Sequence, residues 1–238
     1  MATVFITGAS RGIGLEFVRQ YAEAGDRVIA TCRRPEAAPE LAALAARFPG
    51  QVRVAALDVT DHAAVDALAA DLAGQPIDIL INNAGDIGPR DPDGTRLVEQ
   101  RIGTLNYAEW RRVLEVNMLA PVKVAEALLP NVAAGTRPRL VFVSSTTGSN
   151  VEGRYALFAY CSSKAGLNKS VTMLALALGD RGITCLAVCP GHVQTALGGA
   201  GAVLEVAESV GGLRAVIAAA GPAQNGAFVR YDGTPVAW

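Results

Sequence analysis

Charge is scarce in this chain and evenly matched. Asp, Glu, Lys and Arg make up 18% of 238 residues, with 21 basic against 22 acidic side chains and a formal net charge of -1. No basic excess exists to draw nucleic acid or an anionic membrane surface, so neither is expected as a partner. Cysteine and histidine are also few. Cys32, Cys161, Cys185 and Cys189 contain no C-x-x-C pair, and only His62 and His192 stand with them. That argues against a structural zinc site, no metal is expected, and the thiols read as reduced. No run of about 20 residues is apolar throughout, and the opening MATVFITGAS lacks the basic and long apolar regions of a secretion signal. The expectation is a soluble, cytoplasmic protein. Repeats, linkers and low-complexity tails are missing as well. What is present in quantity is apolar surface, 51% of the residues. That is enough to offset chain entropy and build one core, so residues 1–238 read as a single domain.

Short β-branched runs alternate with Ala- and Leu-rich stretches of helical length. Strands are expected at Thr3 to Thr7, Arg27 to Thr31, Gln51 to Leu57, Ile77 to Ile81, Leu140 to Ser144, Ile183 to Cys189 and Phe228 to Tyr231. Helices are expected at Ile13 to Ala24, near Pro39 to Arg47, near Ala63 to Leu72, from Tyr107 to about Val132, from about Phe158 to Leu178 and near Leu204 to Ala220. Several strands are apolar on both faces, as when helices cover both sides of a parallel sheet. The fold class is therefore α/β, a doubly wound Rossmann-type domain with a parallel seven-stranded sheet. The irregular stretches Asp86 to Asn106, with Pro89, Pro92 and Gly94, and Gly198 to Gly201 both follow the carboxyl ends of strands, where such sheets bind ligands.

Between the first strand and first helix lies Thr7-Gly8-Ala9-Ser10-Arg11-Gly12-Ile13-Gly14. Glycines there allow a tight turn and let backbone N–H groups and a helix N-terminus approach a pyrophosphate. The spacing departs from G-x-G-x-x-G. The T-G-x-x-x-G-x-G form resembles the short-chain dehydrogenase/reductase family, and the resemblance extends along the chain. Asn82-Asn83-Ala84-Gly85 closes the fourth strand, Asn117 lies in the following helix, and Ser145 ends the fifth strand. Tyr160-Cys161-Ser162-Ser163-Lys164 opens the next helix, and Cys189-Pro190-Gly191-His192-Val193-Gln194-Thr195 follows the sixth strand.

About 20 residues past the glycine turn, where an acid would hold the 2′-hydroxyl of NAD, the second strand ends in Cys32-Arg33-Arg34. Arg33 offers a fork of donors suited to a 2′-phosphate, with Arg11 approaching from the glycine turn, so NADP(H) is favoured over NAD(H). The resemblance implies that Asp58 accepts from the adenine amino group beside Val59, and that the backbone of Asn83, Ala84 and Gly85 lines the ribose. It also implies that Pro190, Gly191, Val193 and Thr195 hold the nicotinamide end.

Tyr160 and Lys164 stand at i and i+4, which places the ammonium near the phenol. Reduction of a carbonyl by hydride leaves negative charge on oxygen, and a proton donor in reach removes it. Tyr160 is the expected acid, its pKa drawn down by the neighbouring cation and by the oxidised nicotinamide ring. Lys164 would also hold the nicotinamide ribose. The resemblance implies that Ser145 bonds the carbonyl oxygen and that Asn117 holds a water linking Lys164 to solvent. Ser144 competes with Ser145; the resemblance, through the family's interval from serine to glycine read to Gly148, implies Ser145. Tyr155 is a second phenol on that loop but has no lysine four residues on. His192 reads as packing beside the site and His62 as a solvated helix residue.

Only Ala196 to Val203 separates the Pro-Gly turn from the next helix, so an open site is expected. The chain's ending, Asn225 to Trp238, together with Thr195 to Gly199, resembles the C-factor and sniffer-type carbonyl reductase branch. That branch implies NADP-dependent reduction of small, often aromatic or dicarbonyl compounds. A signalling or sensor protein that binds the dinucleotide, with incidental turnover, is the second reading. The helices at Tyr107 and Phe158 resemble those at the family's dimer and tetramer interface, so a homo-oligomer is possible on sequence alone.

Overall fold

In the computed structural model of this protein, residues 1–89, 100, 102–153, 157–199 and 201–238 are described. Tyr155, Pro92 and Gly94 fall outside these residues. The strands are β1 (Thr3–Ile6), β2 (Arg27–Cys32), β3 (Val52–Ala56), β4 (Ile79–Asn82), β5 (Arg139–Val143), β6 (Thr184–Cys189) and β7 (Ala227–Arg230). They form one seven-stranded sheet in the order β3-β2-β1-β4-β5-β6-β7, with every pair parallel. The helices are α1 (Gly12–Glu23), α2 (Pro39–Arg47), α3 (His62–Asp71), α4 (Tyr107–Leu114), α5 (Ala120–Ala127), α6 (Leu129–Ala133), α7 (Phe158–Leu178) and α8 (Val206–Ala219).

Strand parity divides the core into two layers. Phe5, Leu80, Leu140 and Phe142 face α3, α5 and α7, packing with Val65, Val124, Leu167 and Val171. Val4, Ile6, Ile81, Val141 and Val188 face the other way, against Phe17 and Val18 of α1, Leu41 of α2 and Val210 and Leu213 of α8. A sheet sandwiched in this way has little use for polar alternation, which is why its strands read as continuous apolar runs. Order along the sheet reverses between β1 and β4, and the crevice outside their carboxyl ends is where doubly wound folds take a ligand.

The single long helix expected from Tyr107 to Val132 is not continuous. After α4 the chain makes a π turn at Glu115–Leu119, in which the Ala120 amide donates to the Glu115 carbonyl, before α5 and α6 follow. Pro121 and Pro130 explain the breaks. Proline has no N–H to return to the carbonyl four residues back and its ring crowds that carbonyl, so the turn ahead of Pro121 widens. Local chemistry sets other boundaries. Asp61 caps α3 by accepting from the Ala64 amide at 3.0 Å, and Asn106 caps α4 by accepting from Ala108 and Glu109 at 3.0 and 3.2 Å. Pro39 opens α2, where its missing donor costs nothing.

At the β7 edge the C-terminal residues fold back. Val229 and Pro235 form an antiparallel bridge, the Val236 amide donates to the Phe228 carbonyl at 2.8 Å, and the Trp238 ring lies 5.3 Å from that of Phe228. The outer edge is thereby partly covered, one way of guarding against strand addition.

Candidate dinucleotide and carbonyl site

A cleft of about 560 Å³ opens at the β1/β4 switch point. Its floor is the glycine turn. Gly8 and Gly12 have φ of +67° and +57°, the left-handed region that favours glycine. A Cβ on Gly14 would lie 2.3 Å from the Gly8 carbonyl oxygen and 2.5 Å from the Asn83 Nδ2. One on Gly12 would meet the Thr195 methyl at 3.3 Å across the cleft. Arg11, the N-cap residue of α1, gives no side-chain cap, and the first turn carries no acid. The amide end of α1 therefore faces the cleft with its positive dipole unscreened, which fits a diphosphate. Gly8, Ser10, Arg11, Gly12, Ile13 and Gly14 all line this floor.

Asn83 holds the turn in shape. Its Nδ2 donates to the carbonyls of Thr7 and Gly8 at 2.9 and 3.1 Å, while the Thr7 hydroxyl accepts from the Asn83 and Ala84 amides, both at 3.0 Å. Those two amides are thus committed, so what Asn83 and Ala84 can offer a ribose is carbonyl oxygen. Gly85 lines the same wall.

At one end of the cleft lie Arg33, Asp58 and Val59. Desolvation works to raise the Asp58 carboxyl, but bonds from the Thr60 amide and hydroxyl, at 3.0 and 2.8 Å, and the Arg33 charge outweigh it and hold it below its ordinary value. Arg33 itself is exposed at the cleft mouth.

The other end holds Tyr160 and Lys164 on the first turns of α7, 8% and 5% exposed. Lys164 Nζ stands 5.7 Å from the Tyr160 ring centroid and donates to the Val143 carbonyl at 2.8 Å. Burial pushes the Tyr160 phenol above its ordinary value, and a hydrogen bond with Ser145 pulls only partly the other way. This differs from the lowered phenol expected from sequence: in the chain alone, loss of water outweighs the Ser145 hydrogen bond. Burial likewise pushes Lys164 down, to about 8.

The two serines part company. Ser144 continues the strand parity of Leu140 and Phe142, faces α7 and donates to Asn168 Oδ1 at 2.5 Å. Ser145 has left the strand; it bonds Tyr160 and accepts from the Thr147 amide and hydroxyl at 3.2 and 3.0 Å. Asn117 sits in the π turn, fully buried. Its Nδ2 donates to the Asp86 carbonyl at 2.7 Å and the Ser163 hydroxyl at 2.9 Å, and its Oδ1 accepts from the Asp86 amide at 2.8 Å. A Cβ on Gly85 would sit in ordinary contact with both Asn117 Oδ1 at 3.4 Å and Lys164 Nζ at 3.8 Å, so Gly85 lies beside the two.

After β6 the chain turns at Pro190 and Gly191 and pairs Val193 with Leu204 in a parallel bridge. Pro190, Gln194, Thr195, Ala196 and Leu197 line the cleft, but Gly191 and Val193 do not. Gly191 turns toward β7, where a Cβ would meet Leu204 and Tyr231, and Val193 is 3% exposed. Of the two serines Ser144 lines the cleft, whereas Ser145, half-buried, and Asn117, fully buried, are not among its lining residues. His192 is exposed with Nε2 2.9 Å from the Gly198 carbonyl, and His62 pairs with Glu115 at 3.0 Å.

Sequence reasoning missed two features of this site. Gln100 Oε1 accepts from the Ala159 amide at 2.7 Å, supplying the cap that Leu157 cannot give to the helix carrying Tyr160. Arg112 and Asp86, paired at 2.7 Å, line the cleft. A glutamine 59 residues upstream leaves no capping signature in sequence; the acid directly after Asn-Asn-Ala-Gly was a visible signal for the second.

One consequence of the buried amine is measurable. The unfolded lysine titrates near 10.5 and the folded one near 8. Below that lower value both states are protonated and the desolvation penalty is fully present; between the two values the unfolded state binds more protons, so stability rises with pH. Lys164→Met is expected to melt a few degrees higher than the parent at about pH 7, a gain on the order of 1 kcal/mol after the orphaned Val143 carbonyl is counted. The gain shrinks above about pH 9, and thermal melts at the two pH values check it.

Comparison with known proteins fits this geometry. The family model for short chain dehydrogenases matches residues 2–201. C-signal of Myxococcus xanthus is 35% identical over 175 residues, which span 72% of this chain and 99% of that protein. Carbonyl reductase Sniffer of D. melanogaster superposes with a TM-score of 0.90 at 32% identity over the whole of both chains. NADPH-bound carbonyl reductase from chicken fatty liver gives 0.89 at 31% identity, covering 100% of this chain and 99% of that one. The chain is an oxidoreductase-family protein of Rossmann type, and it belongs to the short-chain dehydrogenase/reductase family, where it is similar to the C-signal and Sniffer-type branch.

Proposed function

We propose that this protein is an NADPH-dependent reductase of small carbonyl compounds, acting as a single dinucleotide-binding domain. The observation that carries the reading is the Tyr160 phenol, hydrogen-bonded to Ser145 with Lys164 over its ring, at the end of a cleft whose floor is an uncapped helix N-terminus. NADPH, when bound, would supply a hydride, one proton with two electrons, to the carbonyl carbon. The residues Gly8, Ser10, Arg11, Gly12, Ile13 and Gly14 hold the diphosphate, and Arg33 with Arg11 takes the 2′-phosphate. Asp58 accepts from the adenine amino group beside Val59, and the carbonyls of Asn83 and Ala84 with Gly85 border the ribose. Pro190, Thr195 and the Val193 amide hold the carboxamide end, with Gly191 making the turn behind them: the bridge to Leu204 uses the Gln194 and Leu204 amides, leaving Val193's for the opposite side.

Ser145 orients the carbonyl oxygen, and Tyr160 gives that oxygen its proton as the C–H bond forms. A phenol kept above its ordinary pKa stays protonated across neutral pH, the form a proton donor needs. Lys164 positions the ribose and returns a proton to Tyr160. Asn117 and Lys164 both lie near Gly85, which supports a relay through Asn117 that replenishes that proton.

Following NADPH absorbance with diketones, quinones and aromatic aldehydes tests this reading. Turnover with a member of the panel is expected. The likeness to C-signal favours a second reading, a dinucleotide-binding signal or sensor protein. Tight NADPH binding with no oxidation by any carbonyl would select it.

A further inference from the structure

The segment Ser145–Gly153 is tied at both ends, and its far tie lies outside the catalytic and nucleotide-binding groups. At the near end Gly148 rests directly on α7, where a Cβ would come 2.7 Å from the Lys164 backbone carbon, and the Gly148 carbonyl accepts from Asn168 Nδ2 at 3.3 Å. Ser149 then turns the chain, its hydroxyl accepting from the amides of Val151 and Glu152 at 3.2 and 3.0 Å. Glu152 reaches the C-terminal turn. One carboxylate oxygen pairs with Arg230 Nη2, and the other accepts from the Ala237 amide at 3.0 Å. Arg230 Nη1 in turn donates to the Pro235 carbonyl at 3.1 Å.

An isolated surface ion pair contributes little. Here both side chains are under a third exposed, both carboxylate oxygens and both terminal guanidinium nitrogens are engaged, and the segments joined are 78 and 85 residues apart. The connection spans no part of the sheet core. It runs from the last strand and the tail to the loop whose first residue bonds Tyr160.

We propose that Glu152 and Arg230 form a clasp through which the C-terminal turn positions the Ser145–Gly153 loop for the carbonyl substrate. They are positioning residues, and their effect on catalysis rests on the reductase reading above. When the clasp is intact the loop has one resting place and Ser145 is held where the carbonyl oxygen must arrive. With it broken, the loop keeps its internal turns and its seat on α7 but loses its tie to the C-terminal turn. The glycine turn and Arg33 are untouched in either state.

The test uses the full chain with Arg230→Met, Arg230→Lys and Ala237→Pro, the last removing one N–H without altering either charge. Hydrogen exchange of amides 147 to 153 is read alongside carbonyl KM, kcat, NADPH affinity and melting temperature. Arg230→Met is expected to speed exchange in the loop about tenfold and to raise carbonyl KM by a similar factor, with NADPH affinity within about twofold. Arg230→Lys, which keeps the charge and one donor, falls between it and the parent; Ala237→Pro shifts exchange in the same direction. A lower melting temperature with unchanged loop exchange and KM would show a purely structural pair and overturn the proposal. Should the parent reduce no carbonyl, the reductase reading fails, and the exchange data alone still decide whether the clasp holds the loop.

Discussion

Tyr160→Phe is expected to lower kcat for carbonyl reduction by about 10²- to 10⁴-fold, the range a positioned proton donor contributes, while NADPH binds within about twofold of the parent. The split follows from what the substitution removes. Only the hydroxyl goes; the ring, 8% exposed and under the Lys164 ammonium, keeps its packing and its cation–π contact. Ser145 loses one partner but retains the Thr147 amide and hydroxyl, so its orientation survives. Burial already opposes ionisation of this phenol, and removing its polar group relieves a desolvation cost, so the melting temperature should hold or rise slightly. Stopped-flow reduction with a carbonyl from the panel, paired with fluorescence titration of NADPH, measures both quantities. Retained turnover would remove Tyr160 from the role of acid; lost turnover with lost NADPH binding would signal a collapsed site instead.

How much of this was legible in the residues depends on whether the signal was local. The bounds of α2 and α7 were readable because proline opens the first and sustained apolar spacing marks the second. The glycine turn was readable because the positive φ of Gly8 and Gly12 and the approach of Gly14 to the Gly8 carbonyl are local, although Asn83 and Thr195 crowd it from afar. Strand parity is a local signal that bears on the two serines beside the interval to Gly148: Leu140 and Phe142 face α7, and Ser144 follows them to Asn168. The π turn escaped because it occupies a single turn of an otherwise helical stretch; Pro121 was its visible trace. Neither Gln100 capping α7 nor Glu152 meeting Arg230 has any local signature, since each joins segments that only the fold brings together. The direction of the Tyr160 shift belongs to the same class: burial, not proximity along the helix, decides it.

Arg33→Asp is expected to invert the nucleotide preference. In the parent, Arg33 follows the last residue of β2, exposed at the cleft mouth and close enough for its charge to hold the Asp58 carboxyl down. Bonds from a guanidinium to phosphate contribute about 1.5–3 kcal/mol each, so losing them and adding a repelling carboxylate should weaken NADPH about 100-fold or more. The same carboxylate can accept from the 2′-hydroxyl of NADH, so NADH should gain affinity by a few-fold and the preference ratio should move by at least that 100-fold. Arg11 remains in the glycine turn and keeps part of the phosphate affinity, so Arg11→Ala added to Arg33→Asp should cost NADPH more than it costs NADH. Structural damage is expected to be small. Asp58 loses the Arg33 charge but keeps both bonds from Thr60, and no buried group is exposed. Binding titrations with both nucleotides, and kcat/KM ratios on one carbonyl, read the change. If Arg33 were only a solvated end-of-strand charge, the ratio would stay where it is in the parent, and the 2′-phosphate would have to be assigned to Arg11 or Arg34 instead.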